Sequence, residues 1–82
     1  MQLNRNIAVS ETGFIFNPST GDSFSANPVG QDVIRLLKEG KNREEISKAV
    51  QEKYAIDAAS VDKDMDDFLM MLRNYQLLTD HE

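Results

Sequence analysis

The stretch "SFSANPVGQDVIRLLKEG", residues 23–40, holds two structural periods joined by one residue pair. Up to Ala26 the pattern alternates, so that Phe24 and Ala26 share the inner side of a short strand over 22–26. From Val29 onward the period is helical, with Val29, Val33, Leu36 and Leu37 forming an apolar stripe and Ile34 beside it. Asn27-Pro28 is the hinge between the two. The Asn27 side chain suits an N-cap, where it accepts a hydrogen bond from an otherwise orphaned amide. Pro28 suits the first helical position, where no donor is needed. The helix runs to about Glu39, and Gly40 lets the chain leave it through a left-handed residue.

Toward the N-terminus, "IAVS" at 7–10 and "FIFN" at 14–17 read as two further short strands. Ile7 and Val9 share one side of the first, and Phe14 and Phe16 share one side of the second. Glu11-Thr12-Gly13 turns between them, and "NPSTG" at 17–21 turns into the strand over 22–26. A three-strand antiparallel meander with 22–26 at one edge is the economical arrangement. Toward the C-terminus, Asn42 caps a second helix and Glu45 completes a capping box. Ile46, Ala49, Val50 and Tyr54 form its buried side. "AIDAAS" at 55–60 is a connector, with Asp57 or Ser60 as the cap of a third helix. From Val61, apolar residues at 61, 65, 68, 69 and 72 fall at helical spacing. Leu77 and Leu78 close the core as a short strand or an irregular tail, and "TDHE" at 79–82 frays. The expected fold is α+β and winged-helix-like, a three-stranded antiparallel sheet followed by three helices. One domain over 1–82 is expected.

Composition narrows the chemistry. Of the 82 residues, 40% are hydrophobic, which favours folding over disorder. Without cysteine, disulfides, thiol catalysis and cysteine-ligated metals are excluded. No apolar run spans a bilayer and the N-terminus has no signal-peptide core, so a cytoplasmic protein without a membrane partner is expected. Nine basic and fourteen acidic residues give a net charge of −5. The dispersed bases offer no phosphate track, and a third helix that begins acidic makes a poor reader of DNA. Winged-helix DNA binding is therefore the least favoured of the binding readings, and no nucleic-acid partner is expected.

Side chains that carry chemistry are scarce. Asp62, Asp64, Asp66 and Asp67 do not converge at helical spacing, and the run lacks the glycine and terminal glutamate of a calcium loop. They read as a solvated or partner-facing surface beside a positive helix end. His81, the only histidine, sits at the tail. The serines have no base, and the four glycines form no phosphate loop. Gly30, in the first turn of a helix, reads as a close-packing position. Neither an enzyme nor a cofactor is expected. Methionine and aromatic residues on the third helix span more than one core stripe. Met65, Phe68, Leu69 and Leu72 face mainly inward, Met71 is half exposed, and Tyr75 marks the face beside it. Phe68, Met71 and Tyr75 border a groove suited to an apolar peptide.

The order of these features resembles the PqqD-like proteins, also called RiPP recognition elements. Ala26-Asn27 is similar to that family's "LN" junction. Gly30, Val33-Ile34 and Leu37 follow its small-residue and apolar pattern. "KEG" at 38–40 is similar to its "DG" helix end, and "NREEI" at 42–46 to its "T-x-x-E-I" start. Pro18-Ser19-Thr20-Gly21 resembles its turn between the second and third strands. "VDKDMDDFLMMLRNYQLL" at 61–78 resembles its last helix and "G-L-L" ending, with Gln76 where glycine is frequent. The likeness covers roughly residues 7–78.

The resemblance implies a non-catalytic protein that holds the leader of a ribosomally made precursor peptide and presents it to a modifying enzyme, often of the radical S-adenosylmethionine class. The leader adds as a strand beside Asp22, Ser23, Phe24, Ser25 and Ala26 and faces Phe68, Met71 and Tyr75. Asp64 and Asp67 steer a basic segment or reject an acidic one. The alternative class is a structural or regulatory adaptor, including a homodimer through the same edge.

Overall fold

The computed structural model describes residues 2–79. The chain order is β1 (Gln2–Leu3), β2 (Ala8–Val9), β3 (Phe14–Asn17), β4 (Asp22–Ser25), α1 (Pro28–Lys38), α2 (Arg43–Tyr54), α3 (Ala58–Asn74) and β5 (Leu78–Thr79). β2, β3 and β4 form a three-stranded antiparallel sheet in that order, and β4 is an edge. Three helices follow, giving the α+β winged-helix-like arrangement. β1 and β5 add a separate antiparallel ribbon, pairing Gln2 with Thr79 and Leu3 with Leu78. Thr79, expected in a fraying tail, is thus the end of a strand. The rest of that tail, including His81, lies outside the described residues.

Capping chemistry sets the helix boundaries. Asn27 Oδ1 accepts the Gly30 amide at 2.8 Å, and Pro28 opens α1. Asn42 and Glu45 bond each other's main-chain amides at 2.9 and 3.0 Å, closing the capping box of α2. α3 begins at Ala58, three residues before the apolar periodicity becomes visible at Val61. Asp57, rather than Ser60, is its cap and accepts the Ser60 amide at 3.0 Å. Hydrogen bonds from the Ser60 hydroxyl and amide hold the Asp57 carboxyl below its usual range.

α1 and α3 end alike. At α1, Lys41 donates to the Leu36 carbonyl and Gly40 to that of Leu37, both at 3.0 Å. At α3, Leu77 donates to Leu72 at 2.7 Å and Gln76 to Arg73 at 3.0 Å. Both are Schellman endings, which need a left-handed residue outside the helix. Gly40 supplies it with φ of 85°, whereas in α3 Gln76 takes φ of 60°.

The core joins all layers. Ile15 comes from the sheet, Ile34 from α1, Ile46 from α2, Leu69 and Leu72 from α3, and Leu77 from the last turn; each is almost wholly buried. On β3 the inner side carries Ile15 and Asn17, so Phe14 and Phe16 share the outer side and stay 46% and 40% exposed. The α1–α2 contact also has a polar lock. Asp32 accepts hydrogen bonds from the Tyr54 hydroxyl and from Lys53 Nζ and pairs with Arg35 at 3.3 Å. Among the described residues no helix is long and apolar enough to cross a membrane.

Candidate functional site

Register decides what the edge of β4 offers. Phe14 pairs with Ser25, Ile15 with Phe24, Phe16 with Ser23 and Asn17 with Asp22. One step further on, the Ala26 amide donates to the Gly13 carbonyl at 2.8 Å. In an antiparallel ladder bonded pairs alternate with unbonded ones. The bonded pairs are therefore 13–26, 15–24 and 17–22, and Phe24 spends its main-chain groups on β3. Ser23 and Ser25 turn their N–H and C=O groups the other way, where no strand of the described residues lies. That row is a template for one more strand.

The side chains beneath this edge are positioned by α3. Phe24 and Ala26 point inward and pack against the core. The rings of Phe24 and Tyr75 lie 4.5 Å apart at 54°, a tilted contact. Asn17 holds that end together. Its Nδ2 donates to the Tyr75 carbonyl at 3.3 Å, and its Oδ1 accepts the Ser19 amide at 3.0 Å. At the other end, a Cβ built on Gly30 would stand 3.2 Å from Ala26 Cβ and 3.2 Å from Phe68 Cε1. Gly30 is therefore the close-packing position the sequence suggests. It lets Phe68 lie against the first turn of α1. α3 thus runs opposite to β4, with Tyr75 beside Phe24 and Phe68 beside Ala26. Met71, between them in sequence, is partly buried against the core.

Beyond Ala26 this trough opens into a cavity of about 420 Å³. Its inner wall is apolar, with Val33, Val50, Val61 and Met65, all buried. Phe68, Asp64 and Asp67 line it from α3, and Asn27 and Val29 line it from the start of α1. Of the residues singled out in sequence, Asp64, Asp67 and Phe68 meet here, whereas Asp22–Ala26, Met71 and Tyr75 lie outside its lining. Sequence reading missed Val29, Val61 and Ile56 as lining residues. Ile56 had a signal, a lone apolar residue wedged between two helices. Its approach depends on left-handed Ala55, with φ of 52°, which composition does not announce.

The four aspartates of α3 divide by face. Asp62 accepts a hydrogen bond from Ser47 Oγ at 3.1 Å, and Asp66 pairs with Arg43 at 2.6 Å. Both are spent on α2. Asp64 and Asp67 point to the cavity and make no ion pair with the described residues. Among those residues no group of three or more histidine, cysteine, aspartate or glutamate side chains is placed to hold a metal ion.

The sequence profile described as coenzyme PQQ synthesis protein D (PqqD) matches residues 12–78, which include β3 and β4, all three helices and the last core leucines. The chain belongs to the PqqD family. A solved structure described as TbiB1 in complex with the TbiA(beta) leader peptide is similar to this PqqD-family chain with a TM-score of 0.92 and 30% sequence identity, covering 100% of this chain and 99% of that one. No curated protein sequence matches the chain.

Proposed function

We propose that this chain binds the leader segment of a ribosomally made precursor peptide by strand addition at β4 and presents the remainder to a modifying enzyme. The observation that carries the reading is the outward row of main-chain groups at Ser23 and Ser25 beside α3. Membership of the PqqD family supports it, as does the likeness to TbiB1, a protein solved with a leader peptide. Main-chain pairing supplies general adhesion, and the trough supplies side-chain preference. Asp22 to Ala26 form the pairing edge, Phe24 its inner support, and Phe68, Met71 and Tyr75 the facing wall. Asp64 and Asp67 select by charge. The chain takes no part in bond chemistry. The 82 residues act as one cytoplasmic peptide-binding domain, and a radical S-adenosylmethionine enzyme is the partner class we assign. A second copy of the chain is the competing occupant of the same edge.

Ser23→Pro tests strand addition directly. The substitution removes an N–H that faces away from β3, so it leaves the Ile15–Phe24 bonds in place. The variant is expected to fold like the parent by circular dichroism. Its affinity for leader peptides encoded beside the gene should fall about tenfold or more, the worth of one or two lost hydrogen bonds. Unchanged affinity in the folded variant would remove strand addition as the mechanism. Sedimentation across a concentration series separates self-pairing from peptide capture.

A further inference from the structure

The α3 aspartates that α2 leaves unpaired border a cavity whose inner wall is apolar, and that cavity opens where β4 ends. A strand paired along β4 and continuing past Ala26 carries its next inward side chain to the mouth beside Phe68. Residues two apart in a strand face the same way, about 6.8 Å apart. Asp67 and then Asp64 lie progressively beyond Phe68, each about 1.5 Å of helix rise per residue further on.

We infer, resting on the peptide-binding reading above, that the recognised segment carries an apolar anchor that enters this cavity and a lysine or arginine two positions beyond it that meets Asp64 and Asp67. The cavity volume of about 420 Å³ sits toward the lower end of the range for small-ligand sites, about 300–1,000 Å³. That is room for a large aliphatic or aromatic side chain and part of its neighbour, and too little for a folded partner. A wall of valine and methionine rewards burial of carbon. Methionine also adapts to anchors of different shape. An acidic residue in the second position would place a third carboxylate beside two that no described residue pairs with, so the rim rejects as well as attracts.

The test uses the intact protein and a displayed library of random dodecapeptides, followed by titration of the enriched peptides against isotope-labelled protein. Enriched peptides are expected to perturb Ser23 to Ala26 and to carry the apolar and basic pair at a spacing of two. The Asp64→Asn/Asp67→Asn variant, folded by circular dichroism, should bind such a peptide about tenfold more weakly, the scale of two partly exposed ion pairs. The parent's affinity should fall with added salt. Alanine in place of the anchor should weaken binding by a similar factor. Peptides that perturb β4 yet lack a basic preference, or that bind the double variant as well as the parent, overturn this inference alone. If no peptide is enriched, or if all shifts lie away from β4, the peptide reading falls with it.

Discussion

Gln76 occupies a conformation that glycine reaches at no steric penalty. Left-handed backbone costs an ordinary L-residue roughly 1–2 kcal/mol, and at φ of 60° Gln76 bears that strain. Among the described residues its side chain makes no hydrogen bond; it is the carbonyl that receives Asn4 Nδ2 at 3.1 Å. Glycine would keep that carbonyl and relieve the strain, while raising the entropy of the unfolded chain. Gln76→Gly is expected to stabilise the protein by up to about 1 kcal/mol, seen as a higher urea midpoint at an unchanged slope. Sequence alone marks this position only as a departure from the pattern of similar chains. A lone Gln-Leu-Leu does not reveal a Schellman ending, because the motif depends on where Leu72 and Arg73 present their carbonyls. By contrast, Asn27 and Asn42 were readable, since a cap bonds its own helix two or three residues away.

At the scale of elements, α1 and α2 meet through both carbon and charge. The Asp32 side chain is only 13% exposed. Burial pushes its carboxyl up, but hydrogen bonds from Tyr54, Lys53 and Arg35 outweigh burial and hold it below its ordinary value. Arg35 and Lys53 remain more than half exposed, so each ion pair contributes at most about 1 kcal/mol, and the Tyr54 bond matters at least as much. A depressed carboxylate stabilises the fold fully above its unfolded value near 3.9 and loses that contribution as pH falls through its folded value. Asp32→Asn should therefore be less stable than the parent at neutral pH. The gap should narrow on acidification below about pH 4, as thermal melts of the two proteins across pH would record. The lock was not legible in the sequence, where Asp32 and Tyr54 are 22 residues apart. The division of the α3 aspartates was half legible. Helical spacing separates 62 and 66 from 64 and 67, but only packing reveals which pair α2 consumes.

Across the whole molecule, strand and helix order followed from local signals, whereas the β1–β5 ribbon did not. Each of its strands is two residues long, too short for a period, and its partners lie at opposite ends of the chain. Leu77 shows why the ribbon forms. It is fully buried, and its carbonyl accepts the Asn4 amide at 2.8 Å, so the last core residue and the first segment are fastened together. Leu77→Ala is expected to destabilise the protein by about 2–5 kcal/mol, a large share of what a domain this small can hold. Equilibrium urea unfolding measures it, and a loss under about 1 kcal/mol would remove Leu77 from the core that unites the layers. The edge strand and the apolar face of α3 were each legible from local periodicity, but α1 and α2 separate them in the chain, so their adjacency came only from the family resemblance. The cavity was not legible, since it depends on how α1, α2 and α3 splay.

The same ribbon sets how this fold can be joined to others. Gln2 and Thr79 face each other across one strand pair, so both points of attachment would emerge side by side. Grafted into a surface loop of a larger enzyme, the fold would need no long tethers and would pull its host's loop ends no further apart than neighbouring strands, about 4.8 Å.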